Sequence, residues 1–147
     1  MSDGNGQTFV RNRVLLDGRA DTRSRVRAFA DPGSFTEFGS RARHRTYAFG
    51  MQHKRPAGDG VVTGIGRVDG REIALFAQDS AALGGSLGEI HASKIARIVT
   101  HAGRARNPVV GLIDSGGARI QEGVASLDGY GTILRANVAL SGRVPQL

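Results

Sequence analysis

At 147 residues with 22 glycines, about twice the usual share of roughly 7%, the chain has the length of one domain that buries roughly 70% of its unfolded surface, and its glycine content favours a turn-rich α/β fold over a helical bundle. The formal charge of +7 rests almost wholly on arginine, since Lys54 and Lys94 are the only lysines; the arginines run from Arg11 to Arg143 without interleaved aromatics, so a solvated surface is favoured over nucleic-acid binding. Cysteine is absent, which excludes disulfides and thiolate metal sites, and with no apolar window of membrane-spanning length and no signal-peptide pattern the default expectation is the cytoplasm, with no membrane or nucleic-acid partner.

Residues 1 to 6 are polar and glycine-rich, so a frayed start is expected, within a flexible segment spanning 1–20. From 21 to 30 the spacing of Val26, Phe29 and Ala30 predicts a short amphipathic helix capped by Asp21 and ended by Asp31-Pro-Gly33. Arg41, Arg43 and Arg45 alternate in a potentially extended stretch, as either a charged edge strand or a phosphate contact. Residues 61–66 and 72–77 read as strands joined across Val68-Asp-Gly70, Asp-Gly being a strong hairpin signal. The same hairpin removes Gly64-x-Gly66 as a dinucleotide loop, because position 69 is Asp and a strand follows.

Gly84-Gly-Ser-Leu-Gly88 matches the Gly-x-Ser-x-Gly nucleophile elbow, yet no histidine follows Asp114, so the order of a hydrolase triad is not met. Ser86 with Glu89 instead fits a capping box for a helix carrying Ile90, Ile95, Ile98 and Val99. His91 falls inside that helix as a packing or surface residue. None of His44, His53, His91 and His101 has metal-ligand spacing, and no metal or catalytic side chain is assigned.

The apolar run 108–113 predicts a strand buried on both faces. It enters the stretch on which the chain is organised, Gly111-Leu-Ile-Asp-Ser-Gly-Gly-Ala-Arg-Ile-Gln-Glu-Gly123, where adjacent glycines allow close approach of a ligand to main-chain N–H groups. A helical face of Tyr130, Ile133, Leu134 and Val138 follows, then a stop at Ser141-Gly142. Residues 144–147 read as the start of a further strand, which suggests a domain continuing past Leu147.

Asp114-Ser-Gly-Gly-Ala-Arg-Ile-Gln-Glu-Gly-Val124 resembles, nearly residue for residue, the N-terminal carboxyltransferase domain of biotin-dependent acyl-CoA carboxylases of the propionyl-CoA carboxylase β type. Four further blocks fit the same pattern in order: Asp31-Pro-Gly-Ser-Phe35, Gly58-Asp-Gly-Val-Val-Thr-Gly64, Phe76-Ala-Gln-Asp79 with Gly84-Gly-Ser86, and Ser141-Gly-Arg-Val-Pro-Gln146. The resemblance covers residues 21 to 147 and implies an α/β crotonase-like (ClpP/crotonase) spiral of strand-strand-helix units, incomplete at the C-terminus. The missing cysteines separate it from the zinc-ribbon β subunit of the bacterial acetyl-CoA enzyme.

By resemblance the activity is transfer of a carboxyl group from carboxybiotin, held on a separate carrier protein or subunit, to the α-carbon of propionyl-CoA or acetyl-CoA. Gly84, Gly85, Gly116, Gly117 and Ala118 would line the CoA channel with their backbones, and Arg43, Arg45 or Arg119 would meet CoA phosphates. The implied partners are acyl-CoA, a biotin carboxylase or biotin carrier subunit, and further copies in a homo-oligomer. In the family a Gly-Pro-Cys-Ala-Gly-Gly oxyanion block and a second crotonase-like domain lie beyond the position of Leu147, so this portion alone is expected to be inactive. A non-catalytic CoA-binding or subunit-docking remnant and a decarboxylase relative of the same fold remain open alternatives.

Overall fold

The computed structural model describes residues 21–147, so the expected flexible segment 1–20 lies outside the described residues. Helix α1 (Thr22–Phe29) forms where predicted, and the Asp21 carboxylate accepts the free N–H groups of Arg23 and Ser24 at 2.9 and 3.2 Å. The turn that ends it is tied to the hairpin tip, because Asp31 accepts N–H bonds from Asp69 and Gly70 at 3.1 and 2.8 Å.

Strands β1 (Thr36–Phe38), β2 (Val61–Val68), β3 (Arg71–Gln78) and β4 (Val109–Leu112) form one sheet in that order. The first three are antiparallel and β4 runs parallel to β3. The β2–β3 turn is the expected one: Asp69 and Gly70 take φ of 50° and 77°, the left-handed pair that a two-residue hairpin demands. Gly64 serves packing and not a ligand, since a Cβ there would sit 2.2 Å from the Thr36 carbonyl oxygen and 2.6 Å from the Phe35 ring.

Residues of β3 alternate between two cores, which is why its sequence reads as an unbroken apolar run. Ile73, Leu75 and Ala77 face α1 with Val26 and Val62. Ala74 and Phe76 face helix α2 (Glu89–Ala105), joining Val61, Ile95, Ile98, Val99 and Ala102. Beyond β4 comes helix α3 (Val124–Leu140), packed on α2. Among the described residues no helix is long and apolar enough to cross a membrane.

Several expectations need correction. Strand β4 is buried at Val109 and only partly so at residues 110–112, because it lies beside β3 with little on its far side except residues 145–147. Those residues do continue the sheet: Val109 N–H donates to the Pro145 carbonyl at 2.9 Å and Leu147 N–H to the Val109 carbonyl at 3.0 Å. On α3, Tyr130 and Ile133 pack inward with Ala136 and Leu140, whereas Leu134 and Val138 are 59% and 74% exposed. The stretch 41–47 forms no strand and has no ladder partner, so the edge-strand reading does not hold. Arg41, Arg43 and Arg45 are nonetheless all exposed, with His44 buried between them.

Candidate functional site

Two glycine turns meet in space. Residues 83–88, between β3 and α2, and residues 114–119, after β4, are laced by hydrogen bonds. Gly116 N–H donates to Gly84 O at 2.9 Å, Ser115 Oγ–H to Gly85 O at 2.8 Å, Leu87 N–H to Gly117 O at 2.8 Å and Arg119 N–H to Leu87 O at 2.9 Å. Contact this close requires Gly85, where a Cβ would lie 2.1 Å from the Asp114 carbonyl oxygen. The backbone residues Gly84, Gly85, Gly116, Gly117 and Ala118 are thus brought together, as the sequence suggests.

The lacing changes which amides are free. Gly116 N–H is used by Gly84, and Gly117 N–H bonds the Ser115 hydroxyl at 3.1 Å, so neither is offered to a ligand in this arrangement. The Ser115 and Ala118 N–H groups carry no hydrogen bond within the described residues. Ser115 and Gly116 are exposed. A Cβ at Gly84 or Gly117, with φ of 65° and 98°, would meet nothing within 4 Å, so the paired turns present open main chain on one side.

Arg119 is not a surface phosphate ligand. Its side chain is 1% exposed, and its guanidinium is consumed by Asp59 Oδ1 at 2.7 Å, Glu122 Oε1 at 2.9 Å, and the Ser86 carbonyl and hydroxyl at 2.7 and 3.2 Å. It fastens the two turns from beneath. Burial raises the Asp59 carboxyl above its ordinary value against the pull of Arg119. Asp59 adopts φ 53° between Gly58 and Gly60, at 82° and 75°, a left-handed run that a buried ion pair holds in place.

The capping box fails for a related reason. Helix α2 has no side-chain cap from Ser86; its Glu89 N–H donates to Glu122 Oε2 at 2.7 Å, a carboxylate from 33 residues away. Ser86 Oγ–H instead donates to Leu83 O at 2.7 Å. His91 is wholly buried. Its Nδ1 lies 2.9 Å from the Asp59 carbonyl, which only accepts, so Nδ1 carries the proton and Nε2 receives the Gln78 amide at 3.2 Å. Burial pushes its pKa down to about 4, and a neutral, fully bonded imidazole is no surface base. Arg45 pairs with Glu89, and Arg43 donates to the Arg55 carbonyl, which leaves both near the chain leading to the site but partly committed.

Asp59 and Glu122 are the residues that motif reading passes over. The signal was present as carboxylates embedded in glycine blocks, Gly58-Asp-Gly60 and Glu122-Gly123, with Glu122 three positions from Arg119 on one turn of chain.

Residues 14–147 match the carboxyl transferase domain. The chain belongs to that family. It is 52% identical over 130 residues to the propionyl-CoA carboxylase beta chain of Cereibacter sphaeroides, covering 88% of this chain and 26% of that one. It is 46% identical over 144 residues to the methylmalonyl-CoA decarboxylase subunit alpha of Veillonella parvula, covering 98% and 28%. Among solved structures, the transcarboxylase 12S hexamer with methylmalonyl-CoA and methylmalonic acid bound aligns with a TM-score of 0.85 at 39% identity, over 99% of this chain and 32% of that one. The carboxyl transferase chain described here therefore has the crotonase-like α/β fold of those proteins, and it spans about a quarter of the length of the curated relatives it matches.

Proposed function

We propose that this chain supplies the acyl-CoA side of a biotin-dependent carboxyltransferase and does not transfer carboxyl groups by itself. The observation that carries the reading is the pair of laced glycine turns, open at Gly84 and Gly117 and bearing two unengaged amides at Ser115 and Ala118. A thioester carbonyl gains negative charge as its α-carbon is deprotonated for attack. Fixed N–H donors stabilise that charge without a titrating side chain, each contributing on the order of 3 kcal/mol in such sites. The carboxyl donor, carboxybiotin on a separate carrier subunit, would approach from the open side as a co-substrate, and none of these residues is assigned to its ring. Arg43 and Arg45 remain the proposed contacts for CoA phosphates; Arg45 would exchange Glu89 for phosphate.

A decarboxylase reading is the second. It draws on the similarity to the Veillonella subunit over nearly the whole chain, and both chemistries place a CoA thioester in the same turns.

Calorimetric titration of the purified chain with propionyl-CoA tests the proposal. Gly84→Asn keeps a residue that tolerates left-handed φ while filling the open space. It is expected to weaken binding at least about tenfold at a stability cost of no more than about 1 kcal/mol. Unchanged affinity in Gly84→Asn, or no binding by the parent chain, overturns the assignment.

A further inference from the structure

Buried polar groups between the end of β3 and the first turn of α2 form a chain with one direction. Gln78 ends β3 on the face that Ala74 and Phe76 turn towards α2, and its amide is carried into the core at 4% exposure. A buried amide must be bonded at both of its ends, and here the first link fixes every later one. The Asp59 carbonyl accepts the His91 Nδ1–H at 2.9 Å, which leaves Nε2 as an acceptor. Nε2 takes an N–H of Gln78 at 3.2 Å, so Gln78 Oε1 is turned the other way and accepts the Asp114 N–H at 3.2 Å. Asp114 opens the second glycine turn. Its carbonyl oxygen lies 2.1 Å from where a Cβ of Gly85 would stand, and a trans peptide sets its C=O and the following N–H on opposite sides, so the Ser115 N–H faces away from Gly85.

We propose that Gln78 is a positioning residue that carries the protonation state of His91 to residues 114–118, holding the Asp114 N–H while the imidazole is neutral and releasing it when the imidazole is charged. A proton taken from solvent onto Nε2 makes that atom a donor, and it then faces the N–H of Gln78. The amide turns over to present Oε1 to His91, which leaves its NH2 group facing the Asp114 N–H, donor against donor. Asp114 loses its anchor and the Ser115 N–H its direction. Burial keeps the ring neutral near pH 7 by pushing its pKa down to about 4; the bond to the Asp59 carbonyl opposes that shift, while Arg119 from the second glycine turn and Lys94 from α2 reinforce it. The Asp59 carboxylate beside them is engaged by the His91 main-chain N–H and by Arg119. On the reading of the site proposed above, on which this step rests, a thioester oxygen meets a correctly aimed Ser115 N–H while His91 is neutral and loses it when His91 is charged.

Solution NMR of the chain in the absence of acyl-CoA tests the relay, so its failure and a failure to bind CoA are separate results. Long-range proton–nitrogen correlation is expected to show His91 as the Nδ1–H tautomer at neutral pH. On acidification towards the His91 pKa of about 4, the Asp114 amide loses protection from exchange in step with protonation of the ring, while the Leu75 amide in the middle of β3 does not. In Gln78→Glu the carboxylate still accepts the Asp114 N–H but has no proton to give Nε2, so His91 takes one from solvent. Its titration then moves up by about 1–3 units, and the Asp114 amide stays protected to within roughly threefold throughout. Gln78→Leu removes the acceptor, and Asp114 exchange rises at least about tenfold with the His91 tautomer unchanged. A glutamine that only fills space gives neither the shifted titration nor the uncoupling of Asp114 from it. The opposite His91 tautomer, an unmoved His91 titration in Gln78→Glu, an Asp114 amide indifferent to Gln78→Leu, or Asp114 and Leu75 losing protection together overturns the proposal.

Discussion

Replacing Arg119 with Met is the sharpest test of the buried staple beneath the glycine turns. The substitution keeps most of the side-chain volume but removes every donor to Asp59 Oδ1, Glu122 Oε1 and Ser86. Among the described residues Asp59, which is 0% exposed, then retains only the His91 N–H at 2.9 Å on its other oxygen. Stranding a buried charge in this way costs about 3–5 kcal/mol, a large part of the 5–15 kcal/mol that roughly holds a domain together. Urea denaturation at neutral pH measures it. The double-mutant cycle with Asp59→Asn isolates the pair, and a coupling of about 2 kcal/mol or more is expected because Asn tolerates the left-handed φ and no longer needs a counter-ion. A loss under about 1 kcal/mol in Arg119→Met, the value of an exposed ion pair, would refute the reasoning.

Three other outcomes follow from the same structure. His91 binds its proton near pH 6.5 when unfolded and near 4 in the fold; the stability due to its neutral ring is complete above pH 6.5 and falls away towards pH 4, by roughly 3 kcal/mol, and His91→Gln should flatten that slope in pH-dependent melts. Gly64→Ala places a methyl against the Thr36 carbonyl at 2.2 Å, so β1 must shift, at a cost of about 1–3 kcal/mol; faster exchange of the Thr63 and Ile65 amides, with β3 unaffected, is the signature. Gly85→Ala drives a methyl into the Asp114 carbonyl at 2.1 Å and should lower stability by more than about 2 kcal/mol, whereas Gly84→Ala, meeting open space, costs only about 1 kcal/mol; equal melting temperatures for the two would contradict the lacing.

What the sequence made legible is what local chemistry decides. Asp21 caps α1 because its carboxylate reaches N–H groups two and three residues on, and Asp69-Gly70 turns the hairpin because both residues accept positive φ. Two of the failures involve partners distant in the chain. Arg119 resembled a surface arginine because Asp59 lies 60 residues away, and Ser86 resembled a helix cap because Glu122, which does the capping, enters from the other turn. Leu134 and Val138 share a helical side with Leu127 but not with Ile133, a distinction that periodicity blurs when apolar residues occupy both sides of a helix.

The two glycine turns show why composition alone could not separate structure from site. Gly85 and Gly88 are required by neighbours: a Cβ at Gly88 would stand 2.4 Å from the Glu122 carboxylate and 2.6 Å from the Arg119 guanidinium, inside the staple itself. A Cβ at Gly84 or Gly117 would touch nothing, and glycine there is required by the left-handed φ of 65° and 98° alone. The same residue type therefore does two things in these turns, one set bringing them together and the other leaving their outer face bare. The ion pair of Asp59 with Arg119 is what makes the first set hold, since it anchors the carbonyl of Ser86 between the two turns. A chain in which Arg119 fails should lose the geometry of Ala118 before it loses its sheet, because Arg119 N–H and the Ser86 contacts of its guanidinium are what hold that corner against residues 86 and 87.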